Sequence, residues 1–315
     1  MAREEGLTLR SLEMVWKSWK LLWRSRKQLL LILLIFFLPF SILLGAFSFY
    51  IFHLVAVMIG MFMSMITGSV PPKMQVLVLD LRKLVIAEVA NLLASILLST
   101  LLDMAVIYTI AMALKEKEMT LKDLIFKIWK TWRGPVVTKL YVFFIASGYL
   151  NFSLLLIYAV IFGGGFTMGS IALASAIFIL LFLLTIYLEM VWFQGIVVSV
   201  MEDYFGLSAL GRASDLIQGE RGLGFMANLL MNLLALIVNL LFFVLGYMIG
   251  YKKAIYMVLL FVICSINLLI ATLKVVIYVM FYNKCRDNPE KELAMKDRLV
   301  YNRVSSSIPI PEDLP

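Results

Sequence analysis

From Leu140 to Leu188 the chain runs forty-nine residues without a single Asp, Glu, Lys or Arg. A spanning helix needs roughly 20 predominantly apolar residues. The run therefore predicts two crossings, with Gly163-Gly164-Gly165 and Gly169 supplying the turn between them. Charge-free runs recur over 28–72, 222–251 and 254–273. Together they predict an all-α, polytopic membrane helix bundle with crossings at 28–52, 84–114, 136–162, 170–200, 223–249 and 254–282. The first is awkward, because its apolar run continues past His53 to Met65. A continuous helix of that length would run about 57 Å, nearly twice a hydrocarbon core of ~30 Å. Pro39, Gly45 and Gly60 are the places for a break. Either 53–66 folds back as a half-helix, or the first helix tilts steeply and extends beyond the bilayer.

Between the apolar runs lie short polar pieces, so the organisation is a head at 1–27, a membrane domain at 28–282 and a polar tail at 283–315 that is expected to be disordered. Cytoplasmic segments are expected at 115–135 and 201–222. In the head, Leu12, Val15, Trp16, Trp19, Leu22 and Trp23 follow helical spacing, while Arg10, Lys17, Lys20, Arg24 and Lys27 populate another face. A Trp-bearing apolar face opposite a basic face suits a headgroup layer rich in anionic lipid; the alternative is that such a helix only frames the next crossing. A second amphipathic helix is expected to begin after Thr120, an N-cap with Asp123 three residues on. Its stripe is Leu121, Leu124, Ile125, Ile128 and Trp132. A third is expected over 207–218, closed by Gly219.

Composition strengthens the membrane reading. Hydrophobic residues make up 63% of the chain and charged residues only 15%, against roughly 45–50% and 25% in soluble domains. The net charge of +8 would suit a nucleic acid, but Lys and Arg cluster beside the ends of apolar runs, where the positive-inside rule puts them. With six crossings, 22 Lys and Arg fall on the side of the termini and 5 on the other. Both termini are therefore expected in the cytoplasm. The expected partners are the bilayer, with anionic headgroups at the basic helices, and a membrane protein; no nucleic acid is implied. The chain start is not read as a cleavable signal peptide, since its charged region is too long and no small-residue cleavage site follows.

Ionisable groups at membrane depth are costly, so each is a functional candidate. The second crossing carries Glu88, Asn91, Ser95, Ser99 and Asp103 on one face. Asn228, Asn232 and Asn239 share a face of the fifth, and Asn267 and Lys274 one of the sixth. Glu189, in the fourth, is placed to pair with Lys274. Two readings stay open. The residues line a path for a proton, ion or small solute, or they are interhelical hydrogen bonds worth ~0.6–2 kcal/mol each.

No catalytic constellation emerges. His53 is the only histidine, and no G-x-S-x-G, zinc or P-loop pattern exists. Cys264 and Cys285 match no metal or redox spacing, and no cofactor is implied. Asn151-Phe152-Ser153 fits a glycosylation acceptor but falls inside a predicted crossing.

Residues 197–225 read VVSVMEDYFGLSALGRASDLIQGERGLGF. With Glu202, Gly206, Ala209, Leu210, Arg212, Ser214, Leu216 and Gly219 in this order, the segment resembles one found in a family of plant multi-pass membrane proteins of unknown function. More distantly it is similar to the membrane domain accompanying some bacterial glycerophosphodiester phosphodiesterases. Lys17-Ser18-Trp19-Lys20 with Leu38-Pro39-Phe40-Ser41, and Trp129-Lys130-Thr131-Trp132 before Val137-Thr138, extend the resemblance over most of the chain. Gly134-Pro135 departs from the pattern. The resemblance implies an embedded bundle with a cytoplasmic hinge in a plant endomembrane, such as the endoplasmic reticulum, or the plasma membrane. It implies no reaction, because the hydrolase chemistry belongs to a separate domain. The expectation is a non-enzymatic scaffold or accessory protein. The alternative is a small-solute, ion or lipid transporter using the polar faces of the second, fifth and sixth crossings.

Overall fold

The computed structural model describes residues 2–25, 27, 29–32, 35, 74–116, 120–165, 167–249 and 253–287. The expected first crossing with its 53–66 continuation lies almost wholly outside these residues, as do the tail beyond 287 and the Glu88 side chain. The named elements are all helices: α1 (Ala2–Arg24), α2 (Met74–Leu114), α3 (Leu121–Thr131), α4 (Arg133–Gly163), α5 (Met168–Met201), α6 (Leu207–Ile217), α7 (Arg221–Ile249) and α8 (Lys253–Arg286). Among the described residues, five helices are long and apolar enough to cross a membrane, over Val89–Leu114, Arg133–Gly163, Met168–Met201, Arg221–Gly246 and Phe261–Arg286.

Helix α2 begins ten residues before the expected start at 84. The stretch Met74–Lys83 holds no Gly or Pro, so nothing in it stops a helix once Pro71-Pro72 is passed. Charge content marks where a crossing begins; it does not mark where the hydrogen-bond ladder does.

The chain forms two compact units. One holds Met1–Trp19, Val160–Val198 and Ser208–Pro315. Here α7 and α8 present matching stripes, Gly224-Ala227-Asn228-Met231 and Lys274-Ile277-Tyr278-Phe281. Each has the 3–4 residue spacing that keeps side chains on one face of a helix. Gly224 permits close approach, because a Cβ there would stand 2.5 Å from Met190 Sδ and 2.9 Å from Phe281 Cζ. The same unit contains most of α1, whose Ser11, Met14 and Ser18 are buried. Ser18 Oγ donates to the Met14 carbonyl and lies 3.1 Å from Met280 Sδ, and Leu7 packs by Gly222. The sequence suggests two faces on this helix, one apolar and one basic. The structure adds a third stripe of small and flexible side chains turned towards protein.

The other unit holds Lys20–Ala159 and Ser199–Leu207. Its buried centre is Met104–Tyr108 with Ile110, against which α3 sets Leu124 and Ile128. Thr120 caps α3 with extended backbone, its hydroxyl accepting from the Asp123 N–H at 3.3 Å. Asp123 in the first turn and Lys130 in the last suit the helix dipole. Tyr108 OH bonds Thr131 Oγ1 at 2.8 Å and donates to the Val200 carbonyl at 3.3 Å. Thr138 Oγ1 accepts from the Gly206 N–H at 2.9 Å and donates to the Gly134 carbonyl at 3.0 Å, which pins the turn after α5 to α4.

Candidate functional site

Among the described residues, the densest polar cluster inside the apolar helices is centred on Glu189 of α5. Lys274 of α8 donates to Glu189 Oε1 at 2.5 Å. Two amides of α7 donate to Oε2, Asn232 at 2.7 Å and Asn228 at 3.2 Å. Lys274 also donates to Asn232 Oδ1 at 3.1 Å, and Asn228 donates to the Ile186 carbonyl at 2.7 Å. The carboxylate thus has three donors from two neighbouring helices, and the ammonium has two acceptors. Its charge also lies 5.2 Å from the centre of the Phe193 ring, which stacks on Tyr278 with centroids 5.2 Å apart. Helical spacing brings this about. Glu189 and Phe193 are four apart on α5, Asn228 and Asn232 four apart on α7, and Lys274 and Tyr278 four apart on α8.

Lys284 and Glu220, 3.6 Å apart, join the end of α8 to the start of α7. Lys274 and Asn232 lie ten and twelve residues further along their helices, which is about 15–18 Å at 1.5 Å per residue. Beside the cluster, Met14 of α1 closes a crevice lined by the α7 and α8 stripes, with no room in it for a water molecule. Two polar atoms of this lining, Asn228 Oδ1 and Tyr278 OH, are buried with no hydrogen-bond partner among the described residues.

The remaining candidates fall into separate groups. Asp103 pairs with Lys139 of α4, Nζ to Oδ2 at 2.5 Å. Asn239 and Asn267 exchange hydrogen bonds at 3.2 and 3.3 Å between α7 and α8. Asn91 has its Oδ1 buried without a partner among the described residues, and Ser99 bonds back to the Ile96 carbonyl of its own helix. Helical spacing alone misses Lys139, because it stands at the edge of a charge-free run and nothing in the sequence marks it as the partner of Asp103. It also passes over Gln194, which is 0% exposed with neither amide atom partnered among the described residues. A polar amide between Phe193 and Gly195 is the available signal.

The 202–219 motif also takes shape. Gly206 and Gly219 bracket α6, and both hold positive φ, +63° and +93°. A side chain is strained in that region. Any Cβ at Gly206 would also press the Tyr141 ring at 3.3 Å. Ala209, Ala213, Leu216 and Ile217 are buried, whereas Leu207 is exposed. Leu210 packs on Gly195, where a Cβ would come within 2.5 Å of it. Glu202, Arg212 and Ser214 are half-buried.

These features define an all-helical protein with, among the described residues, five membrane-length apolar helices and polar contacts between helices within each unit. The chain belongs to DUF8558, a domain of unknown function whose family model matches residues 1–301. No curated protein and no solved structure matches it.

Proposed function

We propose that this protein is a non-enzymatic scaffold or accessory protein in an endomembrane or the plasma membrane. In this reading it crosses six times, keeps both termini in the cytoplasm and docks a membrane-protein partner through its cytoplasmic segments. The likeness to plant multi-pass proteins belongs to the same proposal and assigns the membrane to a plant cell. One observation carries the reading: Glu189, Lys274, Asn228 and Asn232 are tied to one another across three helices. Measured from the Glu220–Lys284 pair, the cluster lies about half a ~30 Å hydrocarbon core deep. A charge there that satisfies its neighbour fastens helices and is not offered to a passing solute. Asp103 with Lys139, and Asn239 with Asn267, are further ties of this kind. Proximity labelling from the C-terminus in cells is the test. Membrane-associated partners should be enriched over a multi-pass control of equal abundance, and a profile matching the control overturns the reading.

A second reading has its own observation. Asn228 Oδ1 and Tyr278 OH are buried and, among the described residues, unpartnered beside Lys274, which suits a small-solute, ion or lipid transporter caught in an occluded state. Reconstituted in vesicles, such a protein conducts protons or solute, and Glu189→Gln with Lys274→Met abolishes the flux. A scaffold gives no flux in either form.

A further inference from the structure

Helices α1 and α3 share a sequence. Thr8-Leu9-Arg10-Ser11-Leu12, three residues, then Trp16-Lys17-Ser18-Trp19-Lys20 matches Thr120-Leu121-Lys122-Asp123-Leu124, four residues, then Trp129-Lys130-Thr131-Trp132-Arg133. Six of the ten aligned positions are identical, and three more keep charge or hydroxyl. Each copy stands directly before an apolar run of crossing length.

The matched residues also do matched jobs. The hydroxyl at the aligned Ser18 and Thr131 bonds in the same pattern, although Ser18 is buried and Thr131 exposed. Ser18 bonds the Met14 carbonyl and Met280 Sδ, while Thr131 bonds the Lys127 carbonyl and Tyr108 OH. Each therefore bonds back four residues along its own helix and ties that helix to a long apolar one. The aligned Trp turns outward in both, Trp16 being 58% and Trp129 79% exposed. Cations stand near it along the chain: Arg10, Lys17 and Lys20 on α1, Lys122 and Lys130 on α3, and Arg133 at the start of α4, all exposed. Further apolar side chains share the outward surface, Leu9, Leu12 and Trp23 on α1 and Ile125 and Phe126 on α3. Glu13 neutralises part of α1 through Lys17 at 2.8 Å, and a hydrogen bond from Lys17 together with its charge holds the Glu13 carboxyl below its usual range. Helix α6 occupies the equivalent chain position before α7, yet it carries no Trp and buries Ala209, Ala213, Leu216 and Ile217.

We infer that α1 and α3 are two copies of one module that binds the anionic headgroups of the adjoining leaflet. Trp16 and Trp129 enter the glycerol layer, and the flanking Lys and Arg meet phosphate and carboxylate oxygens. Charge complementarity selects this occupant. A face of Trp, Phe and Ile flanked by cations, fixed one residue from a crossing in the case of α3, meets lipid headgroups before any soluble partner. The inference rests on the membrane reading above.

The test uses the full chain, purified in a neutral detergent and melted with added phosphatidylserine or phosphatidylcholine. Phosphatidylserine should raise the melting temperature more than phosphatidylcholine does, and 1 M salt should remove the difference. Arg10→Gln, Lys17→Gln, Lys20→Gln together should remove about half of it, as should Lys122→Gln, Lys130→Gln, Arg133→Gln. All six should abolish it, and Arg212→Gln on α6 should leave it intact. Persistence of the difference in the six-fold variant overturns the inference. So does loss of the whole effect on removing one copy, or an equal shift from inorganic phosphate without lipid. The unmutated chain gives a second readout, since brominated phosphatidylserine should quench Trp fluorescence more than brominated phosphatidylcholine at equal total lipid. Equal quenching overturns the inference even if a variant fails to fold. Recovery of the protein in solution without detergent would instead sink the membrane reading itself.

Discussion

Glu189 and Lys274 stand 85 positions apart and meet at 2.5 Å between apolar helices. Their energetics follow from removing water. A charge left alone in such surroundings is destabilising by about 3–5 kcal/mol, whereas removing both charges together costs far less. Lys274→Met should therefore lower the melting temperature in detergent sharply. The double substitution Glu189→Gln, Lys274→Met should restore most of it, because the side-chain amide it places at position 189 keeps a carbonyl oxygen to accept from Asn228 and Asn232. If the double variant melts no higher than the single one, the pair is not the tie described above. At this scale the sequence is informative about which residues matter and largely silent about partners. Glu189 and Lys274 are expected as a pair from their types and depths. Asp103 with Lys139 is not, since a Lys at the boundary of an apolar run looks like an interface anchor until the neighbouring helix is placed.

Helix α6 shows how short elements are held. Its ends are set by glycines at positive φ and its inner face by small and branched apolar side chains. Gly206→Ala should destabilise by about 1–2 kcal/mol from backbone strain alone, with the Tyr141 contact adding to it. Gly211 is mid-helix with open space around it, so Gly211→Ala should stabilise by about 0.5–1 kcal/mol. Thermal melting of the two variants checks the opposite signs. Charge on the buried face should be worse than either: Leu216→Asp with Ile217→Asp should cost several kcal/mol and accumulate poorly. Arg212→Ala, by contrast, should stay near normal abundance, since a half-exposed ion is worth about 0–1 kcal/mol. Steady-state levels in cells compare them, and a lower level for Arg212→Ala would show that α6 is held by charge. The positions of α3 and α6, the Thr120 cap and the Gly219 stop are legible from local signals. The inward stripe of α1 is not, because Ser11 and Ser18 look polar until Met280 and the α7–α8 stripes are beside them.

For the whole molecule, the orientation expectation is that both termini and 201–222 share the cytoplasm. With Cys264 and Cys285 replaced, Ser208→Cys and Ser306→Cys should resist an impermeant maleimide in intact cells and react after permeabilisation. Labelling of either site from outside or from the lumen would break the six-crossing arrangement. The chain supports this only through the distribution of Lys and Arg, because an orientation rule concerns flanking charge and not packing.

The existence of long apolar helices, their approximate limits and the polar residues within them were determined by the sequence alone. Hydropathy and helical period are local properties, and any membrane-length apolar run must satisfy its own backbone hydrogen bonds. Beyond the Glu189–Lys274 pair, which polar groups meet was decided only by the tertiary structure. Each of Glu189, Lys274, Asn228 and Asn232 sits on a helix whose rotation depends on all its neighbours, and a turn of one residue moves a side chain by about 100°. The same reason explains Gly224, whose missing side chain means nothing along the chain and lets α7 close on Met190 and Phe281 in the fold.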